Sequence, residues 1–291
     1  MCMRKSHEQH VERFYSHGSD TRGLQDGGYL SFGYWPEPDM DYSEAVDALI
    51  KHVLDEERSE HVGVVLNVAC GYGSETMKLF EVLQPERVVA IDVTDSHIRF
   101  AKHHVRNLRL ADRISFEKKD ACTIDYPRAS FDYVIGIEGP AHFNTRETFL
   151  RKAYRALKPN GVLLLTDIIV DNSVIQKGWF NHMVGALCAK YWYMPKANWM
   201  SIAELRHLLT DIGFEVRKAE SLGDLVYPGF ARFNLRWKSI KNAIRTRGLR
   251  IGILLTFISW LLGFVHRRRI IDYTFIRAIK PGDDLYKLEF A

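Results

Sequence analysis

No two cysteines of the 291-residue chain stand in CxxC spacing; Cys2, Cys70, Cys122 and Cys188 are scattered. This excludes a zinc ribbon or a disulfide framework, and a chain of this length buries a core without staples. Reduced thiols in a cytoplasmic setting are the simplest expectation. The chain also lacks an apolar run of the roughly 20 residues that a spanning helix needs. Its longest, Ile251–Val265, has fifteen, which suits a buried or interfacial segment. The start, Met1–His10, is polar and shows no signal-peptide core. Acidic residues are missing between Leu225 and Ile271, where ten Lys and Arg stand; the net charge is +4, so the remainder carries −6. Basicity is therefore local, and no nucleic-acid partner is expected. With 46% hydrophobic and 26% charged residues, global disorder is excluded as well.

What is present is alternation. Short β-branched or apolar runs at Val64–Ala69, Arg87–Asp92, Ile114–Lys118, Tyr133–Ile137 and Gly161–Asp167 predict strands. Helical patterns at Ser74–Leu83, Ser96–Leu108 and Thr145–Leu157 lie between them. Such alternation predicts a doubly wound α/β sheet with its ligand crevice at the carboxyl ends of the strands. A capping box, Ser201-Ile-Ala-Glu204, opens a later helix that Gly213 ends. Two final strands, Phe214–Glu220 and Asp272–Ile279, are separated by about fifty residues, far more than a hairpin loop. The expected division is a helical cap (1–60), a core (61–222), a basic and apolar insertion (223–270) and the last strand (271–291).

The sharpest local signal is Val64-Val-Leu-Asn-Val-Ala-Cys-Gly-Tyr-Gly-Ser74. Glycines let backbone approach a ligand closely, and the following helix offers unpaired N–H groups. An ordinary strand-to-helix turn has the same pattern, so context must decide. Asp92 follows Gly73 by nineteen residues at the end of the second predicted strand, where a carboxylate can accept from a ribose diol. Asp120 follows the third strand at the same edge and can accept from an exocyclic amino group. A nicotinamide fingerprint wants a third glycine where Thr76 stands.

The series Leu66-Asn-Val-Ala-Cys-Gly-Tyr-Gly73, Asp92, Asp120-Ala121, Phe131-Asp-Tyr-Val134 and Leu157-Lys-Pro-Asn-Gly161 resembles class I S-adenosylmethionine-dependent methyltransferases over about residues 60–220. Gly28-Tyr-Leu-Ser-Phe-Gly-Tyr-Trp35 and Ile137-Glu-Gly-Pro-Ala-His142 are similar to the branch holding tocopherol and sterol C-methyltransferases and macrolide or sugar O-methyltransferases. The resemblance implies a seven-stranded Rossmann-like sheet whose last strand is antiparallel and an S-adenosylmethionine cofactor; no Asp/Asn cluster for a magnesium-dependent catechol reaction stands out, so no metal is expected. It implies a cofactor site of Asn67, Ala69, Gly71, Gly73, Asp92, Val93, Asp120, Ala121 and Ile137, with Tyr34 from the upstream segment. Asn67 replaces the usual acid and Ala69 the usual first glycine, which keeps open a cofactor-binding protein that has lost catalysis.

Methyl transfer to a hydroxyl benefits from a base. His142 follows the fourth strand, and Asp167, ending the fifth, is placed to orient its ring, a pairing the sugar O-methyltransferases imply; substrate positioning is the other role open to His142. Glu138 resembles an acid of sterol C-methyltransferases, or supports the methionine end of the cofactor. Trp179, Phe180, Tyr191, Trp192, Tyr193 and Trp199 suggest a hydrophobic small-molecule or lipid-like acceptor, methylated at oxygen, with carbon or nitrogen as alternatives. In the insertion, Phe233, Trp237, Ile240 and Ile244 fall on one helical stripe with basic residues around them. Three readings apply: a lid over the pocket, contact with an anionic membrane, and docking of an acidic carrier protein.

Overall fold

The computed structural model describes residues 7–16, 27–55, 57 and 62–282; Cys2 and residues 17–26 of the expected cap lie outside the described residues. Among the described residues, two helices precede the sheet, α1 (His7–Ser16) and α2 (Tyr42–Leu54). Then come β1 (Val64–Val68), α3 (Ser74–Leu83), β2 (Arg87–Asp92), α4 (Asp95–Asn107), β3 (Ile114–Lys118), β4 (Phe131–Ile137), α5 (Arg146–Ala156) and β5 (Leu157–Val170). The remainder is α6 (Asn172–Ile175), α7 (Trp179–Tyr191), α8 (Ile202–Ile212), β6 (Glu215–Ser221), α9 (Gly223–Leu235), α10 (Trp237–Arg247), α11 (Leu249–Arg267) and β7 (Ile271–Ile279).

The sheet has seven strands in the order β3-β2-β1-β4-β5-β7-β6, with β7 antiparallel to both its neighbours. Period-two alternation divides the strand side chains between two cores. Val65, Ile135 and Leu164 join the cluster that holds Leu49, Phe80 and Ile98 of the flanking helices. Leu66, Val134 and Leu163 point the other way, to Phe149, Leu205 and Leu209. Each fully buried side chain of this kind contributes about 1.5–3 kcal/mol. Two motifs serve the frame: Asp132 accepts from the Val64 N–H at 2.7 Å and from Lys158 Nζ at 2.8 Å, tying the entries of β1, β4 and β5 together.

β5 runs beyond its expected span at both ends, because Leu157 pairs with Phe131 of β4 and β7 pairs with it from Val162 to Val170. Asn160 takes a left-handed φ of 61° within it, where a turn was expected. The insertion also differs from expectation. The helix breaks at Arg236 (ψ 138°), so Phe233 belongs to α9 and does not share a stripe with Trp237, Ile240 and Ile244 of α10. Arg236 fastens the break, donating to the Pro38 carbonyl at 3.0 Å with Asp41 3.8 Å away. Phe233 turns toward Trp35, 5.5 Å between ring centres, and Trp237 is exposed. Among the described residues no helix is long and apolar enough to cross a membrane.

Candidate active site

A cavity of about 360 Å³ opens where the sheet order reverses beside β1. Asn67, Ala69, Gly71, Asp92, Val93, Asp120, Ala121, Ile137, Glu138 and His142 all line it. Gly73 and Tyr34 do not form part of its wall. Gly73 takes φ 85° at the start of α3, where a Cβ would meet Phe116 and Ala101 within 3.0 Å, so it is needed for the turn and for helix packing. Tyr34 stacks on His52, 4.7 Å between ring centres, on the α2 side.

The Asp92 carboxylate accepts from the Gly71 N–H at 3.0 Å and the Thr94 N–H at 2.7 Å. Each oxygen keeps a further lone pair for a ligand hydroxyl. Burial pushes this carboxyl up, but the His97 ring and the two N–H groups outweigh it and hold its pKa below the usual carboxylate value. His97 is buried with its Nδ1 3.6 Å from Asp92, and neither ring nitrogen has a hydrogen-bond partner. Across the cavity Asp120 accepts from the Cys122 N–H at 2.8 Å. The two carboxylates and Gly71 thus face one space of nucleoside size. Ala69 holds φ 53°, and its methyl sits where a Cβ on Gly139 would come within 2.4 Å, so Gly139 admits the residue that replaces the family's glycine. Asn67 is not free to imitate an acid: its Oδ1 accepts from Thr76 at 2.7 Å and its Nδ2 donates to the Ile135 carbonyl at 3.1 Å.

Residues 27–35 close one side. Two buried acids hold the strap, Glu75 accepting from the Leu30 N–H at 3.3 Å and Glu138 from the Phe32 N–H at 2.6 Å. Tyr273 also donates to Glu138, at 2.9 Å. Burial drives the Glu138 pKa up to about 8 against these donors, with Glu75 and Asp167 adding to the rise. Sequence reasoning missed Glu75 and His97. Their signal was a first-turn acid and a first-turn histidine immediately beyond the glycine loop and Asp92.

His142 is buried at the cavity wall, but Asp167 does not orient it. The His142 Nδ1 faces the Trp192 carbonyl, which only accepts, so Nδ1 carries the hydrogen and Nε2 the lone pair. The Tyr15 hydroxyl of α1 donates to that Nε2 at 2.9 Å. Burial lowers the His142 pKa to about 4, the Trp192 carbonyl opposing. Asp167 instead accepts from Arg146 Nε at 2.7 Å and from the Ala141 N–H at 2.8 Å, both in the interior. A buried guanidinium claims the carboxylate, and Asp167 positions the loop that carries His142, not the ring.

The acceptor side differs from expectation too. Of the six aromatics expected there, Tyr191 and Trp192 line the cavity. Trp179 is 77% exposed. The missing walls come from the insertion: Phe230 and Phe233 of α9, Asn242 of α10, and Thr256, Ser259 and Leu262 of α11.

Residues 60–224 match the family model described as a methyltransferase domain. Erythromycin 3''-O-methyltransferase of Saccharopolyspora erythraea is 30% identical over 150 residues, 52% of this chain and 49% of that protein. O-methyltransferase cnsE of Penicillium expansum is 24% identical over 250 residues, 84% of this chain and 86% of that protein. Sterol 24-C-methyltransferase of Eremothecium gossypii is 29% identical over 161 residues, 55% and 42% respectively. The match therefore spans about half or less of the macrolide and sterol relatives. Among solved structures, the cyclopropane synthase MmaA2 of Mycobacterium tuberculosis has a TM-score of 0.76 at 17% identity, covering 96% of this chain and 100% of that one. The cyclase SpnF has a TM-score of 0.72 at 19% identity, covering 94% and 96%, so the fold by itself does not specify the reaction. The domain match, over more than half of the chain, gives the family: the chain belongs to the class I S-adenosylmethionine-dependent methyltransferases, and the relatives it resembles include O-methyltransferases and a sterol C-methyltransferase.

Proposed function

We propose that the chain methylates an oxygen of a hydrophobic small-molecule or lipid-like acceptor, with His142 as general base, in the cytoplasm beside a membrane. The observation that carries this reading is the Tyr15 hydroxyl on His142 Nε2 at 2.9 Å, in the wall of the cavity. A hydroxyl of the protein already occupies the basic nitrogen with the geometry an acceptor hydroxyl needs. Bound S-adenosylmethionine supplies an electrophilic methyl on a sulfonium. As an alcohol oxygen takes up a methyl, its proton becomes strongly acidic, so an imidazole with a pKa of about 4 is basic enough to remove it. Neutrality at physiological pH keeps the Nε2 lone pair, and the acceptor hydroxyl takes the place of the Tyr15 hydroxyl on it. Phe230 and Phe233 of α9 and Leu262 of α11 give the acceptor side its apolar walls and exclude water from the transfer.

Tritium transfer from methyl-labelled cofactor into an extract of host lipids and secondary metabolites tests the assignment. Label recovered in an ether or ester supports it; label fixed to carbon or nitrogen overturns it.

Asp92, with Asp120, holds the nucleoside in this reading. Asp92→Ala should weaken S-adenosylmethionine binding roughly ten- to hundred-fold, the scale of lost charge-assisted hydrogen bonds, measured by calorimetry. Turnover at saturating cofactor should change much less.

Glu138 gives a pH dependence. With a pKa of about 8 it is mainly protonated at neutral pH, and a cation in the same cavity favours its ionised form. Sulfonium binding should therefore release up to about one proton at pH 7, and affinity should rise as pH increases through about 8. Titrations in phosphate and in Tris, which differ in ionisation heat, measure this. S-adenosylhomocysteine, without the charge, should release less, and Glu138→Gln should abolish the difference.

A further inference from the structure

Two helices that wall the cavity also turn large apolar side chains outward. On α11, Leu249, Ile253, Leu254, Phe257 and Trp260 are 50–62% exposed. They follow one face of the helix, opposite the buried Gly252, Ser259, Leu262 and His266. Phe257 stacks on Trp260 and Trp260 on Phe264, with ring centres 5.9 and 6.1 Å apart. On α7, Trp179, Met183, Leu187 and Tyr191 recur every four residues and are 40–77% exposed. The two stripes join at one end, where the Arg268 guanidinium lies 5.3 Å from the Phe180 ring and 5.2 Å from the Phe264 ring.

Charge identifies what such a surface meets. No acidic residue occurs between Asp171 and Glu204, which includes all of α7, or between Leu225 and Ile271, which includes all of α10 and α11. The first segment carries three lysines and the second the ten basic residues. Arg250 stands on the apolar stripe of α11 and Arg268 caps its end in line with that stripe, roughly 27 Å away along the helix. Lys238, Lys241, Arg245, Arg250, Arg267 and Arg268 have no carboxylate partner among the described residues. A second copy of the chain would set one cationic surface against another. An anionic bilayer neutralises it, accepts the aromatic rings at the headgroup boundary and leaves the arginines to snorkel.

We propose that the outer faces of α7 and α11 form one docking surface for an anionic lipid bilayer. α11 lies along that bilayer, since no described helix is long and apolar enough to cross one. Tyr191, where the α7 stripe ends, and Thr256, Ser259 and Leu262 on the inner face of α11 line the cavity, so docking brings the acceptor side next to the lipid. The proposal goes beyond the His142 assignment, because attachment to lipid requires neither cofactor nor acceptor.

The test is flotation of the full chain with vesicles of phosphatidylcholine containing about 30 mol % phosphatidylglycerol, against pure phosphatidylcholine, with size-exclusion chromatography alongside. The wild type should float with the anionic vesicles at low salt and be released at high salt. Phe257→Ser with Trp260→Ser should lower the bound fraction roughly ten-fold or more, and Arg250→Glu with Arg268→Glu should do the same. Calorimetric cofactor binding should stay unchanged in both pairs, which separates loss of docking from loss of fold. Absence of flotation at low salt, equal binding to neutral vesicles, or unchanged flotation of the variants overturns the proposal. So does a dimer that the Phe257/Trp260 pair disrupts in a chain that does not float.

Discussion

His142→Ala should lower turnover at least about 100-fold, the usual scale of a general base, while cofactor affinity stays within about two-fold. The split follows from the geometry. His142 makes its side-chain contacts with Tyr15 and the Trp192 carbonyl, whereas the carboxylates proposed to bind the nucleoside, Asp92 and Asp120, are held by their own backbone N–H partners. Removing the ring therefore deletes the proton acceptor without releasing either carboxylate. The wild-type rate carries a second signature. Protonation removes the base, so turnover should be level across neutral pH and fall as pH drops through the His142 pKa of about 4. An imidazole of ordinary pKa would begin to fail near 6.5. Single-turnover rates with pre-bound cofactor, from pH 8 down to the lowest pH the fold survives, measure both. Full activity in the alanine variant would remove the base assignment and leave positioning as the role of His142.

The sheet was legible in the sequence, and so were the carboxylates that line the crevice beside it, because both are written in local pattern. Alternating apolar runs located every strand of the sheet, and Asp92 and Asp120 each follow a strand end, where chain direction alone delivers them to the crevice. The errors share a cause: each depends on a partner distant in sequence. β5 is long because β7, more than a hundred residues later, pairs along it. The insertion helix breaks at Arg236 because Pro38 and Asp41 hold that side chain. His142 is oriented by a main-chain carbonyl, and every residue has one, so no side-chain motif announces it. Asp167 looked like the orienter because it ends the neighbouring strand, yet proximity does not decide between two claimants. Arg146 took it, and Arg146 did leave a signal. A cation at the first position of a helix opposes the helix dipole, so its presence at the start of α5 asks for a buried counter-charge.

Arg146→Ala should be the most destabilising single substitution near the site. The side chain is fully buried and satisfies three acceptors: Asp167 at 2.7 Å, the Asn198 carbonyl at 2.7 Å and the Ile168 carbonyl at 3.2 Å. Removing one partner of a buried pair leaves the other charge uncompensated, at a cost of about 3–5 kcal/mol. For a chain of this size that lowers the melting temperature by roughly 10 °C or more, which calorimetric or circular-dichroism melts would detect. Arg146→Lys keeps the charge but loses the planar fork, so it should recover only part of the loss. Arg146→Ala combined with Asp167→Ala should cost less than the two single changes added, because the stranded charge is gone. Function should follow below the melt. Asp167 holds the Ala141 N–H, and Asn198 donates to the Ala141 and Phe143 carbonyls at 3.1 and 2.8 Å. This network fixes the backbone on both sides of His142. Once it loosens, turnover of the Arg146 variant should fall at temperatures where its far-ultraviolet spectrum is still native, with cofactor affinity at Asp92 nearly intact. A variant that melts early yet turns over normally below its melt would show that the pair serves stability alone.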